Sequence, residues 1–167
     1  IYTVNCRYKY MKHLLLLIAA FLPTTLMASI PAIEDLGERA SNQDNVEHTS
    51  VGSFMLSMAS SFAEKEQRKT FKMLNNIELI ECHNHSYCTT LESEVKSIIK
   101  SLNASYIGTT TDDRSRNVVY GLSDGEIINE LIILAYGHKG SFSVIAISGE
   151  IPHDRLEEIS QIRRPLK

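Results

Sequence analysis

The sequence predicts an α+β domain, in which an antiparallel β-sheet carries helices packed mainly on one face. Two segments in the first half have apolar residues at helical spacing, and a short apolar run lies between them. The second half is rich in β-branched and aromatic residues, and short glycine-containing connections divide it. Because such connections join only neighbouring strands that run in opposite directions, the sheet is expected to be antiparallel.

The N-terminal segment has the features of a secretory leader. Met11 and Lys12 precede an apolar run over residues 14–22, and a polar stretch then ends at the small residue Ala28. A basic start, an apolar centre and a small residue at the end are typical of a signal peptide, here residues 11–28. The run is shorter than the roughly 20 apolar residues that cross a bilayer. A buried core helix is the alternative interpretation.

Cleavage near Ala28 predicts an exported protein, periplasmic or secreted, without a transmembrane span in the mature chain. Residues 1–10 precede the first methionine and are interpreted as upstream sequence translated by mistake. Removing residues 1–28 deletes three basic residues and leaves a net charge of −6. A mildly acidic protein is not expected to bind nucleic acid or anionic lipid by charge alone.

The expected mature chain begins with a polar segment and continues as one domain. Residues 29–45 show no clear periodicity, so the sequence predicts a flexible lead-in that can include a short helical turn. Since 167 residues favour a single domain, one α+β domain is expected over residues 46–162.

The first predicted helix opens at Ser53, a suitable N-cap residue. Its apolar residues share one side, which favours a helix that packs this stripe in the core. A methionine-rich stripe can instead be an adaptable binding surface. The charged segment 64–72 is expected to be an exposed helix end or a connecting helix. The stripe consists of Phe54, Met55, Met58, Ala59 and Phe62.

A strand over residues 77–82 and a second helix are expected next. Thr89 or Thr90 is the expected N-cap of this helix. Asn103 is its expected end, since Asn tolerates the left-handed backbone conformation that often follows a helix. The apolar stripe of this helix consists of Leu91, Val95, Ile98, Ile99 and Leu102.

Four further strands are expected in the second half of the chain. Residues 126–136 and 141–148 are continuous enough in apolar residues to form the central pair, and residues 137–140 join them. A helix over residues 127–135 is the alternative, because an apolar run alone does not decide between the two. Pro152 is expected to open a closing helix. The other two strands are expected at residues 106–111 and 117–122.

Several sequence segments in a fixed order carry a resemblance to a known family. They are "SVGSFMLSMA", the strand "NIELIEC", an amphipathic helix, the hairpin "NELIILAYGHKGSFSVIAISGEI" and "DRLEEIS". Over roughly residues 46–162 the chain resembles the domain of unknown function 4252 family, small exported proteins found mainly in Bacteroidota. The resemblance implies no catalytic residue, ligand or cofactor for this chain. A lipid-attachment cysteine, which some exported relatives carry, is missing here.

The search for catalytic motifs is largely negative. The sequence has no Gly-rich phosphate loop, no His-Glu-x-x-His and no Cys-x-x-Cys. The adjacent carboxylates at residues 112–113 and 157–158 point in different directions along a strand or a helix, so they do not form a convergent pair. No catalytic residue and no cofactor are therefore predicted.

The stretch "ECHNHSYC" brackets two histidines between two cysteines and leaves three interpretations open. Loss of Cys6 with the leader leaves Cys82 and Cys88 as a pair, for which an oxidising compartment favours a disulfide. Such a bridge requires Cα atoms within about 7 Å. A metal site would use Cys82, His83, His85 and Cys88 as four ligands. The third interpretation is two unpaired cysteines beside exposed histidines.

The sequence supports three hypotheses about function. The favoured one is a non-catalytic exported module that binds an envelope protein or a small ligand through its sheet or its methionine-rich first helix. The second is a metal-handling protein that uses residues 82–88. The third is an enzyme whose site is assembled from dispersed residues. An exposed apolar patch would favour the first, and a deep pocket with converging polar groups would favour the third.

Overall fold

The computed structural model describes residues 29–156, apart from the side chains of Ser29, Ile30, Glu66 and Lys139. Four α-helices and six β-strands make up this part of the chain. The helices are α1 (Ser29–Ala40), α2 (Ser53–Phe62), α3 (Lys65–Met73) and α4 (His85–Ser101). The strands are β1 (Val46–Gly52), β2 (Leu74–Cys82), β3 (Ser105–Thr111), β4 (Arg116–Asp124), β5 (Ile127–Tyr136) and β6 (Phe142–Pro152).

The six strands form one antiparallel sheet in the order β1-β2-β6-β5-β4-β3. The α+β class and the predicted central pair, β5 with β6, are confirmed, and the alternative of a helix over residues 127–135 is excluded. A 3₁₀ turn, His138–Gly140, joins the central pair. Gly140 adopts φ +74°, and a Cβ there would lie 2.0 Å from the His85 ring. Only glycine therefore fits this turn.

The two longest helices, α1 and α4, pack against one face of the sheet. The predicted apolar stripe of the second helix is confirmed here, because Leu91, Val95 and Ile99 are buried in this layer. The strand residues of the same layer alternate along each strand, as a sheet with one face in the core requires. They include Ile80, Cys82, Val118, Ile132, Leu134, Phe142, Val144 and Ala146.

The opposite face of the sheet is covered in part by the two shorter helices. Leu131 and Ile133 alternate with the residues of the first layer, so they point to this side, where they pack with Leu56 of α2. Phe71 of α3 packs against the same cluster. The long helices thus share one face as expected, whereas α2 and α3 adjoin the other.

Helix α1 replaces the flexible lead-in that the sequence predicts. Ile33, Leu36 and Ala40 are fully buried between the sheet and α4. Gly37 lies so close to β1 that a Cβ there would meet the His48 ring at 2.5 Å. The helix therefore belongs to the packed domain, which extends beyond the expected start at residue 46.

Strand β1 was not predicted, and helix α4 begins earlier than expected. Its N-cap is Asn84 rather than Thr89 or Thr90, and the Asn84 side chain accepts a hydrogen bond from the Tyr87 backbone N–H. The predicted end is confirmed, since Asn103 adopts φ 52° directly after the C-cap.

Two predicted segments lie outside the described residues. They are the leader, with the segment before it, and the closing helix beyond Leu156. Strand β6 continues to Pro152, where the closing helix was expected to open, and the 3₁₀ turn His153–Arg155 follows it. None of the helices within residues 29–156 combines the length and apolar character that crossing a membrane requires.

Candidate functional site

Helix α2 carries the largest group of exposed apolar side chains in the described part of the chain. It begins directly after β1, with the extended Gly52 as its N-cap instead of the predicted Ser53, and ends at Phe62. Leu56 and Ser60, one turn apart, are its buried residues. This edge holds the helix against the sheet, because Leu56 joins the apolar cluster of the second face.

The apolar stripe of α2 points to solvent, so the favoured interpretation of this stripe as core is wrong. The relative exposures are 73% for Phe54, 57% for Met55, 49% for Met58 and 89% for Phe62. At 100° per residue these four side chains occupy one arc of the helix, opposite Leu56. We call these four residues the α2 ridge. Together they expose roughly 500 Å² of apolar surface, a size at which patches on single chains are often functional.

The serines of α2 add little polarity to its surface. The hydroxyls of Ser60 and Ser61 both donate to the Ser57 backbone carbonyl, at 2.7 Å and 3.2 Å. Hydroxyls bonded back to the helix have used their one donor and can only accept from a polar ligand. Residues 53–62 also contain no charged residue. The ridge is therefore suited to an apolar partner.

The sequence of α2 leaves open which side of the helix faces the sheet. A helix that packs an apolar stripe in the core usually carries charged residues on its opposite side. In α2 the opposite side has Ser53, Leu56 and Ser60, which are small or apolar. Both sides could therefore face the sheet, and the choice depends on tertiary packing.

Cys82 and Cys88 are both buried, and neither forms a disulfide. The Cys88 thiol donates to the Cys82 carbonyl at 3.2 Å, and the Cys82 thiol donates to the Asn84 carbonyl at 3.5 Å. Burial, followed by the interaction with the neighbouring Cys82 side chain, raises the pKa of the Cys88 thiol to about 12. The predicted disulfide is thus not confirmed, and the geometry is that of two protected thiols.

These protected thiols are expected to react only when the protein unfolds. The raised pKa keeps the Cys88 thiol protonated at about pH 8, whereas the thiolate is the reactive form, and Cys82 is protected by its burial. In a Cys6→Ser background, a thiol reagent should label neither Cys82 nor Cys88 in the folded protein. Denaturant without reductant should release two thiols. If no thiol appears until a reductant is added, the cysteines form the disulfide that the sequence favours.

The two histidines of this stretch do not join the cysteines in a metal site. Both histidines are exposed: His85 is the first residue of α4 and lies over Gly140, whereas the backbone N–H of His83 donates to the Asn45 carbonyl at 2.9 Å. Within residues 29–156, no three His, Cys, Asp or Glu side chains are grouped in a way that could hold a metal ion. The arrangement therefore gives no support to Cys82, His83, His85 and Cys88 as a ligand set.

A buried carboxylate, Glu78 of β2, forms a polar cluster that the sequence analysis missed. Glu78 is fully buried, and it accepts hydrogen bonds from Ser50 Oγ at 2.6 Å and from Asn76 Nδ2 at 2.8 Å. His48 Nε2 lies 2.8 Å from its other oxygen. Ser50 bonds the carboxylate and not the imidazole, so the arrangement lacks the nucleophile–base contact of a hydrolase triad. We interpret it as a structural cluster that connects β1 to β2.

A Gly-x-Ser-x-Gly match was also missed. Residues 121–125 are "GLSDG". In hydrolases this motif forms a sharp turn from a strand into a helix, which presents the serine as a nucleophile. Here β4 continues to Asp124, Gly125 turns with φ 64°, and β5 begins at Ile127. The motif is the corner of a β-hairpin and does not form a nucleophile elbow.

Of the two pairs of adjacent carboxylates, the structure describes residues 112–113, where Asp112 has a structural role. Asp112 Oδ1 accepts from the backbone N–H groups of Arg114 and Ser115, at 2.8 Å and 2.7 Å, and so closes the turn between β3 and β4. These bonds hold the pKa of Asp112 below its usual value. The pair at residues 157–158 lies outside the described residues.

Comparison with known proteins adds one relationship. The family model described as Domain of unknown function (DUF4252) matches residues 40–159, which is more than half of the chain, so the chain belongs to this family. No curated protein and no solved structure matches the chain. The matched range contains α2 and its exposed ridge.

Proposed function

We propose that this member of the domain of unknown function 4252 family is an exported, non-catalytic module that binds another component of the cell envelope through the α2 ridge. The observation that carries the proposal is the exposure of four large apolar side chains on one side of a single helix. Support for export is the leader-like sequence of residues 11–28.

The physical argument rests on the cost of leaving the ridge in water. Covering roughly 500 Å² of apolar surface is favourable by about 12 kcal/mol before the costs of association are subtracted. The other large exposed apolar residues in the described part of the chain form smaller groups, Tyr106 and Ile107 on β3 and Ile127 on β5. Single exposed residues of this kind are normal, whereas four on one helix indicate a contact surface.

The polar features described above have local structural roles, which also favours a binding module over an enzyme. Glu78 binds its neighbours on β1 and β2, and Asp112 accepts hydrogen bonds within the turn that follows β3. The thiols of Cys82 and Cys88 donate to backbone carbonyls.

Oxidative footprinting tests whether the ridge is covered where the protein works. In the purified protein, Met55 and Met58 should be oxidised readily by hydroxyl radicals, because both are about half exposed. In intact envelope preparations their oxidation should fall at least fivefold. Tyr106 on β3 is the internal control, since it is exposed to a similar extent and far from α2 in the sheet order.

Two results would contradict the proposed function. Equal oxidation of Met55 and Met58 in the two preparations would show that nothing covers the ridge. Absence of the protein from the envelope fraction would remove the exported setting that the proposal assumes. Mass spectrometry of the oxidised peptides reads out the first, and immunoblotting of the cell fractions reads out the second.

A further inference from the structure

We propose that the partner of the α2 ridge is a membrane surface with anionic headgroups, on which α2 lies flat while α3 binds the headgroups. The inference rests on the proposed function and identifies what covers the ridge. It is based on the position of a basic helix directly beside an uncharged apolar one.

Helix α3 follows α2 after only two residues, Ala63 and Glu64. The two helices pack against each other. The Arg68 guanidinium donates to the Ala63 carbonyl at 3.3 Å, which places a cation next to the end of the ridge at Phe62. The basic residues of α3 are all exposed: Lys65, Arg68, Lys69 and Lys72.

The charge of this segment differs in sign from that of the chain. Residues 64–72 contain four basic and two acidic residues, whereas the full sequence has a net charge of −3. The whole protein is therefore not attracted to anionic lipid by charge alone, but the surface beside the ridge is positive. Aromatic and aliphatic side chains next to Lys and Arg are the combination that places a helix in a membrane interface. Each basic residue near an anionic surface adds to the attraction.

The dimensions of α2 fit a position along the surface. A helix of ten residues is about 15 Å long, half the thickness of the hydrocarbon core, so it cannot span it. The ridge is raised above the sheet by Leu56 and Ser60 beneath it, so Phe54 and Phe62 can reach past the headgroups. Interfacial helices bury their apolar side about 5–10 Å deep in this way.

A second copy of the chain fits this surface less well. Two-fold pairing through the ridge would bring the same patch of both copies together, and with the α2 helices parallel it would also bring the two basic α3 helices together. Like charges brought close across an interface are unfavourable. An anionic headgroup layer instead complements the charge of α3.

Vesicle co-sedimentation tests the proposal with the full protein as it is isolated from cells. Vesicles of phosphatidylcholine with about one third phosphatidylglycerol should bind it, and vesicles of phosphatidylcholine alone should bind it at least fivefold more weakly. Binding should fall as salt shortens the Debye length from about 10 Å at 0.1 M to about 3 Å at 1 M. Any leader that is retained can itself bind lipid, so the decisive comparison is between variants that share the same N-terminus.

Two matched pairs of variants separate the ridge and the charge from general effects. Phe62→Ser should lower the affinity for anionic vesicles at least tenfold, whereas Tyr106→Ser on β3 should not change it. Lys72→Glu should lower it at least fivefold, whereas Lys100→Glu should not. Lys72 and Lys100 are both exposed lysines in the last turn of a helix, so the pair differs in position only.

The outcomes distinguish this inference from the proposed function. If the ridge variants leave vesicle binding unchanged but abolish self-association or capture of an envelope protein, the lipid inference is overturned and the binding surface stands. If the ridge variants change neither vesicle binding, self-association nor capture of an envelope protein, and the ridge is also unprotected in the envelope, the lipid inference and the proposed function both fail. Equal loss of binding in the control variants would likewise overturn the inference, because binding would then not depend on the α2–α3 surface.

Discussion

Replacing Glu78 by alanine is expected to lower the free energy of unfolding by about 3 kcal/mol, because breaking a buried charged cluster leaves its partners unsatisfied. His48, Ser50 and Asn76 all place a polar group within 2.8 Å of the carboxylate. Removal of the carboxylate leaves these groups without their acceptor beside a position that is itself fully buried. Chemical denaturation followed by circular dichroism would measure the change.

The control for Glu78 is Glu81→Ala on the same strand. Glu81 is three residues along β2 and points to the opposite face of the sheet, where it is only partly buried. Its replacement should change the free energy of unfolding by less than about 0.5 kcal/mol. A similar small loss for Glu78→Ala would show that the cluster contributes no more than an ordinary surface carboxylate. The double variant, His48→Ala with Glu78→Ala, should lose less free energy of unfolding than the sum of the two single variants, because the two residues share one interaction.

The strands of the second half could be predicted because their composition and connections agree. The strands β5 and β6 are almost continuously apolar, and the turn His138–Gly140 is short and contains glycine. A strand buried on both faces needs such a run, and a short turn makes its neighbour antiparallel. The α+β class and the central pair followed from these features alone.

Strand β1 could not be predicted, because its pattern is governed by a neighbour. Val46, His48 and Ser50 point to the same face as α1. Two of these three positions are polar because they bind Glu78 of β2, so the alternation of apolar and polar residues is lost. Contacts with a strand that lies about 30 residues away do not appear in a local pattern.

The sequence identifies the residues of the α2 ridge as an apolar stripe, but it favours the core as their environment, whereas they face solvent. The residues of the ridge were recognised, and the possibility of a binding surface was stated. Which side of α2 faces the sheet depends on how Leu56 packs with Leu131 and Ile147. No periodicity within α2 contains that information, because its two sides are both uncharged.

Helix α1 shows the same limitation. Its buried residues, Ile33, Leu36 and Ala40, have helical spacing, but charged residues separate them and the stripe is narrow. A marginal helix of this kind is stabilised mainly by packing on its neighbours. The packing partners lie on α4 and on the sheet, far along the chain.

Replacing Leu36 by alanine is therefore expected to lower the free energy of unfolding by about 3 kcal/mol, through the lost burial and the cavity that remains. Leu36 is fully buried within the layer that α1 and α4 form on the sheet. Glu38→Ala, on the exposed side of the same helix, should cost less than about 0.5 kcal/mol. Denaturant unfolding of both variants makes the comparison. A flexible lead-in would make the two substitutions equally harmless, and that result would remove α1 from the folded domain.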